Sequence, residues 1–364
     1  MERRGFIKSL ATGALAASSV TIGQRAFASK AEFNWKMITS WPKNYPLLGT
    51  NANHVAKLIE QMSNGRIRIK VYGANELVPA FEVFDAVSRG TAQMGHSGAF
   101  YWKGKHQAVQ FFGAIPFGMN AQEVNAWLYY GGGMELWEEL YDQFNLIPVA
   151  TGSSGAQMAG WFRHDINSLE DLKGLKMRIP GLGGEVLKRA GGVPVNLPAG
   201  EIFTSLQSGA IDATEWTGPY LDLAFGLYKA AKNYYYPGWH EPSTTIEAMI
   251  NKDAFVALPA DLQVIVKQAC KSANMDMLAE NAAKNNIALD TLVDKHGVQV
   301  KCLPDEVLTR LSGLCLEAVQ EVAEQDPFSR KVYESYNNFS QRASRWTDIS
   351  EYAYLKGRSL EGKS

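Results

Sequence analysis

The sequence predicts an α/β protein of two lobes with a cleft between them. Short strand-like segments alternate along the chain with amphipathic helical segments, which is typical of sheets covered by helices. The same order of five segments occurs in the first half of the chain and again in the second half. The chain has 364 residues, more than one hydrophobic core usually holds. Each half is therefore expected to form its own sheet.

The first set of five segments follows the N-terminal region. Its strands alternate polar and apolar residues, and its first helix has a stop signal in Asn64-Gly65. In chain order the segments are a strand in FNWKMITSWP (residues 33–42), a helix from Leu48 to Met62, a strand in RIRIKVYG (66–73), a helix carrying FEVFDAVSRG (81–90) and a strand in AQMGHSG (92–98).

The second set repeats this order. Its segments are a strand in LKMRIPG (175–181), a helix in GGEVLKRAGG (183–192), a strand in VPVNLP (193–198), a helix in EIFTSLQSG (201–209) and a strand in AIDATEW (210–216). The second helix of each set has the spacing F-x-x-Φ-x-x-G, at residues 84–90 and 203–209. This spacing is common at helix ends, but together with the shared order it favours two related βαβ-type units.

The C-terminal part of the chain is predicted to be mostly helical. Residues 260–295 show helical periodicity without a breaker, and VQVKCLP (298–304) predicts a strand. One long helix is expected from Asp305 to Asn338, with a kink at Pro327. The segment 343–359 has aromatic residues at near-helical spacing, so it is expected to pack on its own lobe or on a second subunit.

The N-terminus predicts export. Arg3-Arg4 precede an apolar run from Leu10 to Ile22, and residues 26–28 have the A-x-A form of a cleavage site. A paired arginine before a mild apolar segment is a twin-arginine signal, with cleavage expected after Ala28. The alternative is a membrane anchor, but the run is short for a span and rich in Gly, Ala and Ser.

Composition narrows the possible partners. The chain has 36 Lys and Arg against 37 Asp and Glu, so no excess of positive charge points to nucleic acid. The three cysteines are an odd number without a C-x-x-C motif. They do not predict a disulfide framework, and buried thiols are expected at Cys270, Cys302 and Cys315, although one pair could bridge.

Polar residues that follow predicted strands are the candidates for a binding site, since ligands of such folds lie at the carboxyl ends of strands. They are Ser97 to Tyr101, Gln157, Arg178, Glu215-Trp216 and His240-Glu241. Arg178 lies within an otherwise apolar strand, where an unpaired charge would be costly. Its planar guanidinium can bind a carboxylate through two hydrogen bonds.

Two partners for Arg178 remain open. It could form a structural salt bridge with Glu215 or Glu241. It could instead bind the carboxylate of a ligand, but three negative charges would then crowd one arginine. A hard cation held by the two glutamates, the Gln157 amide oxygen and a backbone carbonyl would relieve that repulsion. Sodium and calcium accept such oxygen ligands, whereas zinc prefers His or Cys.

Other motifs are weak. TGSSGA and GHSGA lack the G-x-S-x-G spacing, and GLGGE is not a dinucleotide-binding glycine motif. The histidines at 54, 96, 106, 164 and 296 are scattered and are expected to be structural or to face solvent. The candidates include no nucleophile with an adjacent base.

Three stretches resemble the substrate-binding proteins of TRAP transporters, the DctP family. They are LKGLKMRIPG, NLPAGEIFTSLQSGAIDATEWTGPY and HEPSTTIEAMINK, and the sequence is most similar to the branch that binds 2-oxo acids such as pyruvate. The resemblance implies a periplasmic-binding-protein-like fold with crossing strands and long C-terminal helices. It also implies a periplasmic receptor that delivers an organic acid to membrane permease subunits.

The resemblance also implies roles for individual residues. Arg178 would clamp the ligand carboxylate, and Gln157 would contact both ligand and cation. Glu215, the carbonyl of Trp216 and Glu241 would complete the shell of a Na⁺ or Ca²⁺ ion. Tyr101 and Trp216 would line the pocket. Members of this branch can form a homodimer by exchanging a C-terminal helix, for which the tail is long enough.

The expected division of the chain into lobes follows from the repeated segments and from this resemblance. Residues 1–28 are the signal peptide, 29–153 with about 243–285 form lobe I, 154–242 with about 286–340 form lobe II, and 341–364 form a helical tail. Two other functions are open. One is an exported metal-assisted enzyme that acts on a small carboxylic acid, with Glu241 as a general base. The other is a receptor that serves a signalling partner.

Overall fold

The structure is a computed structural model that describes residues 31–360. The predicted signal peptide and its cleavage site lie outside the described residues. The strands are β1 (Phe33–Thr39), β2 (Ile67–Tyr72), β3 (Met94–Gly98), β4 (Leu146–Ser153), β5 (Gly160–Phe162), β6 (Lys176–Arg178), β7 (Val193–Val195), β8 (Ala213–Thr214), β9 (Asn233–Tyr236), β10 (Thr245–Asn251) and β11 (Gln299–Cys302).

Helices surround these strands and dominate the C-terminal part. The α-helices are α1 (Leu48–Met62), α2 (Val83–Ser88), α3 (Gln110–Gly113), α4 (Ala121–Tyr130), α5 (Gly133–Asp142), α6 (Gly181–Arg189), α7 (Ala199–Ser208), α8 (Pro219–Phe225), α9 (Lys252–Val256), α10 (Ala260–Asp290), α11 (Asp305–Glu324), α12 (Pro327–Thr347) and α13 (Ala353–Arg358). A 3₁₀ helix, Ala99–Trp102, directly follows β3. Over residues 31–360, no helix has the length and apolarity needed to cross a bilayer.

The strands form two mixed sheets. The first has the order β2-β1-β3-β10-β4, and the second has the order β11-β9-β5-β8-β6-β7. Within them, β2-β1-β3 and β7-β6-β8 are parallel three-stranded units with the same order. The repeated set of five segments predicted from the sequence is therefore confirmed, and it occurs once in each sheet.

Glycine ends the second helix of each repeat in the same way. Gly90 follows α2 with φ 77°, and Gly209 caps α7 with φ 78°. These positive φ angles lie in the left-handed region, which side chains with a Cβ adopt rarely. Val87 and Leu206, three residues before these glycines, are both fully buried. The F-x-x-Φ-x-x-G spacing thus marks equivalent helix ends.

The chain crosses from the first sheet to the second through residues 154–159 and returns through residues 237–244. The two crossing segments are hydrogen-bonded to each other. Ser154 N–H donates to the Thr244 carbonyl at 3.0 Å, and Thr244 N–H donates to Ser154 Oγ at 2.8 Å. The long helix α10 contacts both β4 of the first sheet and α8 beside the second. The predicted short crossings are present, while the lobe boundaries stay a prediction.

The expected single helix kinked at Pro327 is wrong, because the chain forms two helices there. α11 ends at Glu324, and α12 begins at Pro327. The side chain of Asp326 accepts hydrogen bonds from the backbone N–H groups of Phe328 and Ser329 and so caps α12. Proline is favoured at the first helical position, because its missing N–H is not needed there. Asp326-Pro327 therefore starts a new helix.

The cysteines divide into two environments. Cys270 and Cys315 are free and buried, as predicted. Cys302 is free but exposed, so the expectation that it is buried is wrong. It ends β11, which is the edge strand of the second sheet and lies open on one side.

Candidate ligand-binding site

One cavity brings together all six site residues predicted from the sequence. It has a volume of about 340 Å³, of which part is open to solvent. The lining residues are Trp41, Leu48, Phe100, Tyr101, Ser154, Gln157, Arg178, Pro180, Glu215, Trp216, Thr217, Glu241, Thr244 and Ile246.

Strand ends and crossing segments place the polar residues of this cavity. Arg178 is the last residue of β6, and Glu215 directly follows β8. Because β6 and β8 are parallel neighbours, their carboxyl ends meet at one edge of the sheet. Gln157 and Glu241 lie in the two crossing segments, and Tyr101 lies in the 3₁₀ helix after β3.

Arg178 is almost completely buried, with 1% of its surface exposed. Its Nε donates to the Leu197 carbonyl at 3.2 Å, Nη2 donates to the Tyr101 hydroxyl at 3.0 Å, and Nη1 forms an ion pair with Glu215. Each terminal nitrogen carries a second N–H. The salt bridge left open by the sequence is therefore present, and the guanidinium still has N–H groups for a further acceptor.

Opposing effects act on the pKa of Arg178. Burial lowers it, but the Glu215 carboxylate, Tyr101 and Glu241 outweigh burial and raise the pKa above its ordinary value. The arginine therefore stays charged. For Tyr101, burial is the main cause of a raised pKa, so its hydroxyl keeps its proton.

Two buried carboxyl groups share this one arginine. Glu215 Oε2 lies 3.3 Å from His240 Nε2, and Glu241 Oε2 accepts hydrogen bonds from Gln157 Nε2 at 3.0 Å and from the Thr244 hydroxyl. Burial and, after it, the charge of Glu215 raise the pKa of Glu241 from 4.5 to about 7, against smaller effects of His240, Thr244 and Arg178. One arginine does not balance two ionised carboxylates, and a ligand carboxylate would add a third negative charge.

Gln157 has an unpaired oxygen. Its Nε2 lies within hydrogen-bond distance of Ser154 Oγ at 2.9 Å, Thr244 Oγ1 at 2.8 Å and Glu241 Oε2 at 3.0 Å, and its two N–H groups serve these three acceptors. Its Oε1 is buried and accepts no hydrogen bond. A buried acceptor without a partner is costly. A cation bound to this oxygen would satisfy it. Na⁺ and Ca²⁺ accept amide and carboxylate oxygens as ligands, and the carboxylates of Glu215 and Glu241 lie in the same cavity.

These residues fit an oxygen-ligated ion better than a transition metal. In the part of the chain that the structure describes, no three His, Cys, Asp or Glu side chains converge as a metal-binding group. A cation here would depend on amide and carbonyl oxygens in addition to Glu215 and Glu241. The donor set therefore matches a hard cation such as Na⁺ or Ca²⁺ rather than zinc.

The apolar side of the cavity is formed by Trp41, Leu48, Phe100 and Ile246. Of these, the sequence analysis included only Phe100, as part of the candidates Ser97 to Tyr101. The Trp41 ring meets Trp216 edge-on at 6.4 Å between centroids and lies 6.2 Å from Tyr101. Trp41 comes two residues after β1 ends at Thr39. The strand-end criterion selected Ser97 to Tyr101 in the first half of the chain, and it would also have found Trp41 if it had been applied to the end of β1.

Comparison with known proteins identifies the family. Residues 37–326 match DctP, described as bacterial extracellular solute-binding protein, family 7. The chain belongs to this family. The resemblance predicted from the sequence is thereby confirmed, and the DctP chain described here is a solute-binding protein of the TRAP type.

Individual relatives cover almost the whole DctP chain. A monocarboxylate 2-oxoacid-binding periplasmic protein of Nostoc sp. (strain PCC 7120) is 42% identical over 360 residues, covering 97% of this chain and 98% of that protein. A TRAP solute-binding protein of Pseudoalteromonas atlantica T6c, solved with bound sodium and pyruvate, has a TM-score of 0.87 and 42% identity, covering 90% of this chain and 99% of that one.

A third relative was solved as a dimer. It is a TRAP transporter solute-binding protein of Bordetella bronchiseptica RB50, a mixed-occupancy dimer with copurified calcium and picolinate in one active site and an apo second site. Its TM-score is 0.88 at 37% identity, covering 91% of this chain and 98% of that one. These similarities over nearly full chains confirm the predicted two-lobed α/β fold.

Proposed function

We propose that this DctP protein is the periplasmic receptor of a TRAP transporter and binds a 2-oxo monocarboxylate such as pyruvate together with Na⁺ or Ca²⁺. It then delivers the acid to the membrane permease. The observation that carries the proposal is the lining of the cavity. Arg178, Glu215, Glu241 and the unpaired oxygen of Gln157 lie together in it, beside an apolar wall.

Each residue has a defined task in this proposal. Arg178 binds the ligand carboxylate with its remaining N–H groups, and Tyr101 orients the guanidinium through its hydroxyl. Gln157, Glu215, Glu241 and the carbonyl oxygen of Trp216 hold the cation. The cation supplies positive charge for the carboxylate and C2 oxygens of the acid, which offer it two ligands at once.

The surrounding structure prepares these residues for binding. The hydrogen bonds of Arg178 to Leu197 and Tyr101 fix its guanidinium before a ligand arrives, so less side-chain entropy is lost on binding. Trp216 covers one face of the guanidinium, with 5.2 Å between Cζ and the ring centroid. Such exclusion of water strengthens the charge interactions within the site.

The relatives support both the acid and the ion. The Nostoc protein carries 2-oxoacid binding in its name, and the Pseudoalteromonas protein was solved with sodium and pyruvate. The Bordetella protein held calcium and picolinate, which is also a monocarboxylate. The choice between Na⁺ and Ca²⁺ for the present chain is part of the test below.

Thermal unfolding of the mature protein tests the proposal directly. The samples contain 2-oxo, 2-hydroxy or dicarboxylic acids, each with sodium, with calcium, or in sodium-free buffer with a chelator. A ligand at about 1,000 times its Kd adds about 4 kcal/mol of stability, which raises Tm by several degrees. We expect 2-oxo monocarboxylates to raise Tm only with a cation. An absence of any shift after the protein is unfolded and refolded without ligand would refute the proposal.

The receptor is proposed to act without catalysis. Gln157, Arg178, Glu215 and Glu241 include no nucleophile with an adjacent base. The alternative, an exported metal-assisted enzyme, would need Glu241 as its general base. Prolonged incubation with pyruvate and calcium, followed by proton NMR, separates the two. Any product formed by the wild-type protein and lost in Glu241→Gln would favour the enzyme.

We further propose export by the twin-arginine signal and a homodimer formed through the C-terminal helix. The end of α12 and the residues after it expose large apolar side chains, including Trp346, Ile349 and Tyr354. A second subunit would cover them, and a solved relative is a dimer. Sedimentation of the protein with and without residues 341–364 tests the dimer, and mass spectrometry of the exported protein tests cleavage after Ala28.

A further inference from the structure

The indole of Trp41 is held by three hydrogen bonds in series. Trp41 Nε1–H donates to His96 Nδ1 at 2.9 Å, and His96 Nε2 lies 2.8 Å from Asn51 Oδ1. Asn51 Nδ2 donates to the carbonyl oxygen of Ala273 in α10 at 3.3 Å. The series connects the cavity wall, through β3 and α1, to the long helix that contacts both sheets.

The direction of this series follows from the chemistry of its ends. An indole nitrogen only donates, so His96 Nδ1 must be the acceptor and carries no proton. The proton is therefore on Nε2, which donates to Asn51 Oδ1. His96 has 0% of its surface exposed, and burial lowers its pKa to about 3. The imidazole stays neutral near neutral pH and keeps this tautomer.

The backbone of Trp41 is fixed as well. Its carbonyl oxygen accepts from the Thr39 hydroxyl at 2.9 Å and from Ala74 N–H at 2.7 Å. With the indole nitrogen bound to His96, neither end of the residue is free to turn. The ring is therefore held against Trp216 and Tyr101 at one side of the cavity.

We propose that His96 is a specificity-determining positioning residue, because its Nδ1 holds the Trp41 indole as the wall that limits the carbon chain of the ligand. The inference rests on the proposed function. The carboxylate and C2 oxygen of a 2-oxo acid take up the polar lining around Arg178 and Glu241. The chain beyond C2 must then pack against the apolar lining, and a fixed indole excludes longer chains.

Two substitutions of His96 separate its two hydrogen bonds. Asparagine places its oxygen about where histidine has Nδ1, so His96→Asn keeps the acceptor for Trp41. Glutamine places its nitrogen about where histidine has Nε2, so His96→Gln keeps the donor to Asn51 but removes that acceptor. Calorimetry in saturating calcium then compares the affinities for pyruvate, 2-oxobutanoate and 2-oxopentanoate.

The ratio of affinities is the decisive readout. One methylene group in an apolar pocket typically changes affinity by about 10- to 200-fold. We expect wild type to favour pyruvate, His96→Gln to reduce its preference over 2-oxopentanoate at least about tenfold, and His96→Asn to retain the preference within about twofold. A loss of stability alone would weaken all three acids alike and leave the ratio unchanged.

Ser335→Ala is the matched control. Ser335 Oγ accepts from the indole N–H of Trp127 at 3.2 Å, and neither residue lines the cavity. The substitution therefore removes the acceptor of another indole away from the ligand. We expect it to leave the ratio of affinities as in wild type.

The outcomes distinguish this inference from the proposed function. If wild type binds none of the acids, the proposed function fails and this inference with it. Two results would refute only the role of His96 when wild type favours pyruvate. Either His96→Gln keeps the wild-type ratio of affinities, or His96→Asn loses the preference for pyruvate as much as His96→Gln does. Should His96→Gln not fold, nitrogen NMR of the wild-type protein decides, because a proton on His96 Nδ1 would overturn the inference.

Discussion

Without a cation, the protein should lose stability as the pH rises from about 4.5 to about 7. Burial and Glu215 raise the pKa of Glu241 from 4.5 to about 7 in the folded state. Between these two values the folded protein keeps a proton that the unfolded chain has released, so the free energy of unfolding falls as pH rises and levels off above about 7. A pKa change of this size corresponds to about 3 kcal/mol.

Calcium binding should have the opposite pH dependence. Glu241 must lose its proton before its carboxylate can bind a cation, and so the cation competes with the proton. The apparent calcium affinity should be constant above pH 7 and should fall about tenfold for each pH unit below it. The part of the stability that is lost through Glu241 on raising the pH should therefore return when calcium is added.

The substitution Glu241→Gln should remove both effects of this residue. Between pH 4.5 and 8, the free energy of unfolding of this variant should change by about 3 kcal/mol less than that of wild type. Its calcium affinity should be weak at every pH. Urea unfolding in sodium-free buffer with a chelator measures the first quantity. Calorimetric titration with calcium at the same pH values measures the second.

Glu247→Gln provides the control. Glu247 is fully buried, and burial raises its pKa to about 7, although hydrogen bonds from Trp102 and Tyr141 oppose this rise. It does not line the cavity. Glu247→Gln should reduce the pH dependence of stability about as much as Glu241→Gln does. It should leave the pH dependence of calcium affinity as in wild type. If Glu241→Gln keeps the wild-type pH dependence of calcium affinity, Glu241 is not a cation ligand and the reasoning is refuted.

Three further predictions follow from single contacts. Arg178→Met should abolish acid binding in calorimetry. It should also lower the free energy of unfolding in urea by about 3–5 kcal/mol, because Glu215 is left buried without its partner. The double variant with Glu215→Gln should regain the stability but not the binding. Tyr101→Phe removes one acceptor of Arg178 and should weaken acid binding about three- to tenfold, with little change in Tm. In the native protein a thiol reagent should modify Cys302 only, as counted by mass spectrometry, and labelling of another cysteine would contradict the burial described above.

The polar half of the site could be predicted because it depends on local rules. Arg178 and Glu215 each come at the end of a strand, and parallel neighbouring strands bring such ends together. Gln157 and Glu241 lie in the connections between the sheets, which are short and have few possible paths. The resemblance to DctP proteins then supplied the roles that strand order alone does not give.

The apolar half of the site, and the hydrogen bonds that hold Trp41 in it, could not be predicted in the same way. His96, Trp41 and Asn51 lie on three separate segments, and their hydrogen bonds depend on how α1 packs beside the first sheet. No spacing in the sequence records such a contact. A lone histidine in an apolar strand was expected to be structural, and its burial agrees with this, but its partner could only be seen in three dimensions.

Helix boundaries show how local chemistry can outweigh periodicity. The apolar periodicity of residues 305–338 continues across Pro327 and predicted one kinked helix. Asp326 has an oxygen that satisfies the first N–H groups of a new helix, and Pro327 needs no such acceptor. An Asp-Pro pair within a periodic segment therefore indicates the start of a second helix more strongly than a kink in the first.

Charge balance explains why an acid receptor would carry two buried glutamates beside its arginine. With Glu241 protonated, Arg178 and Glu215 neutralise each other, and the site is stable without a ligand. A monocarboxylate that binds then adds a charge with no counterpart. A divalent cation provides that counterpart and also balances the ionised form of Glu241 that it needs as a ligand, so the acid and the cation favour each other. The raised pKa of Glu241 thus makes acid binding conditional on the cation, which is why both should be required together for a shift in Tm.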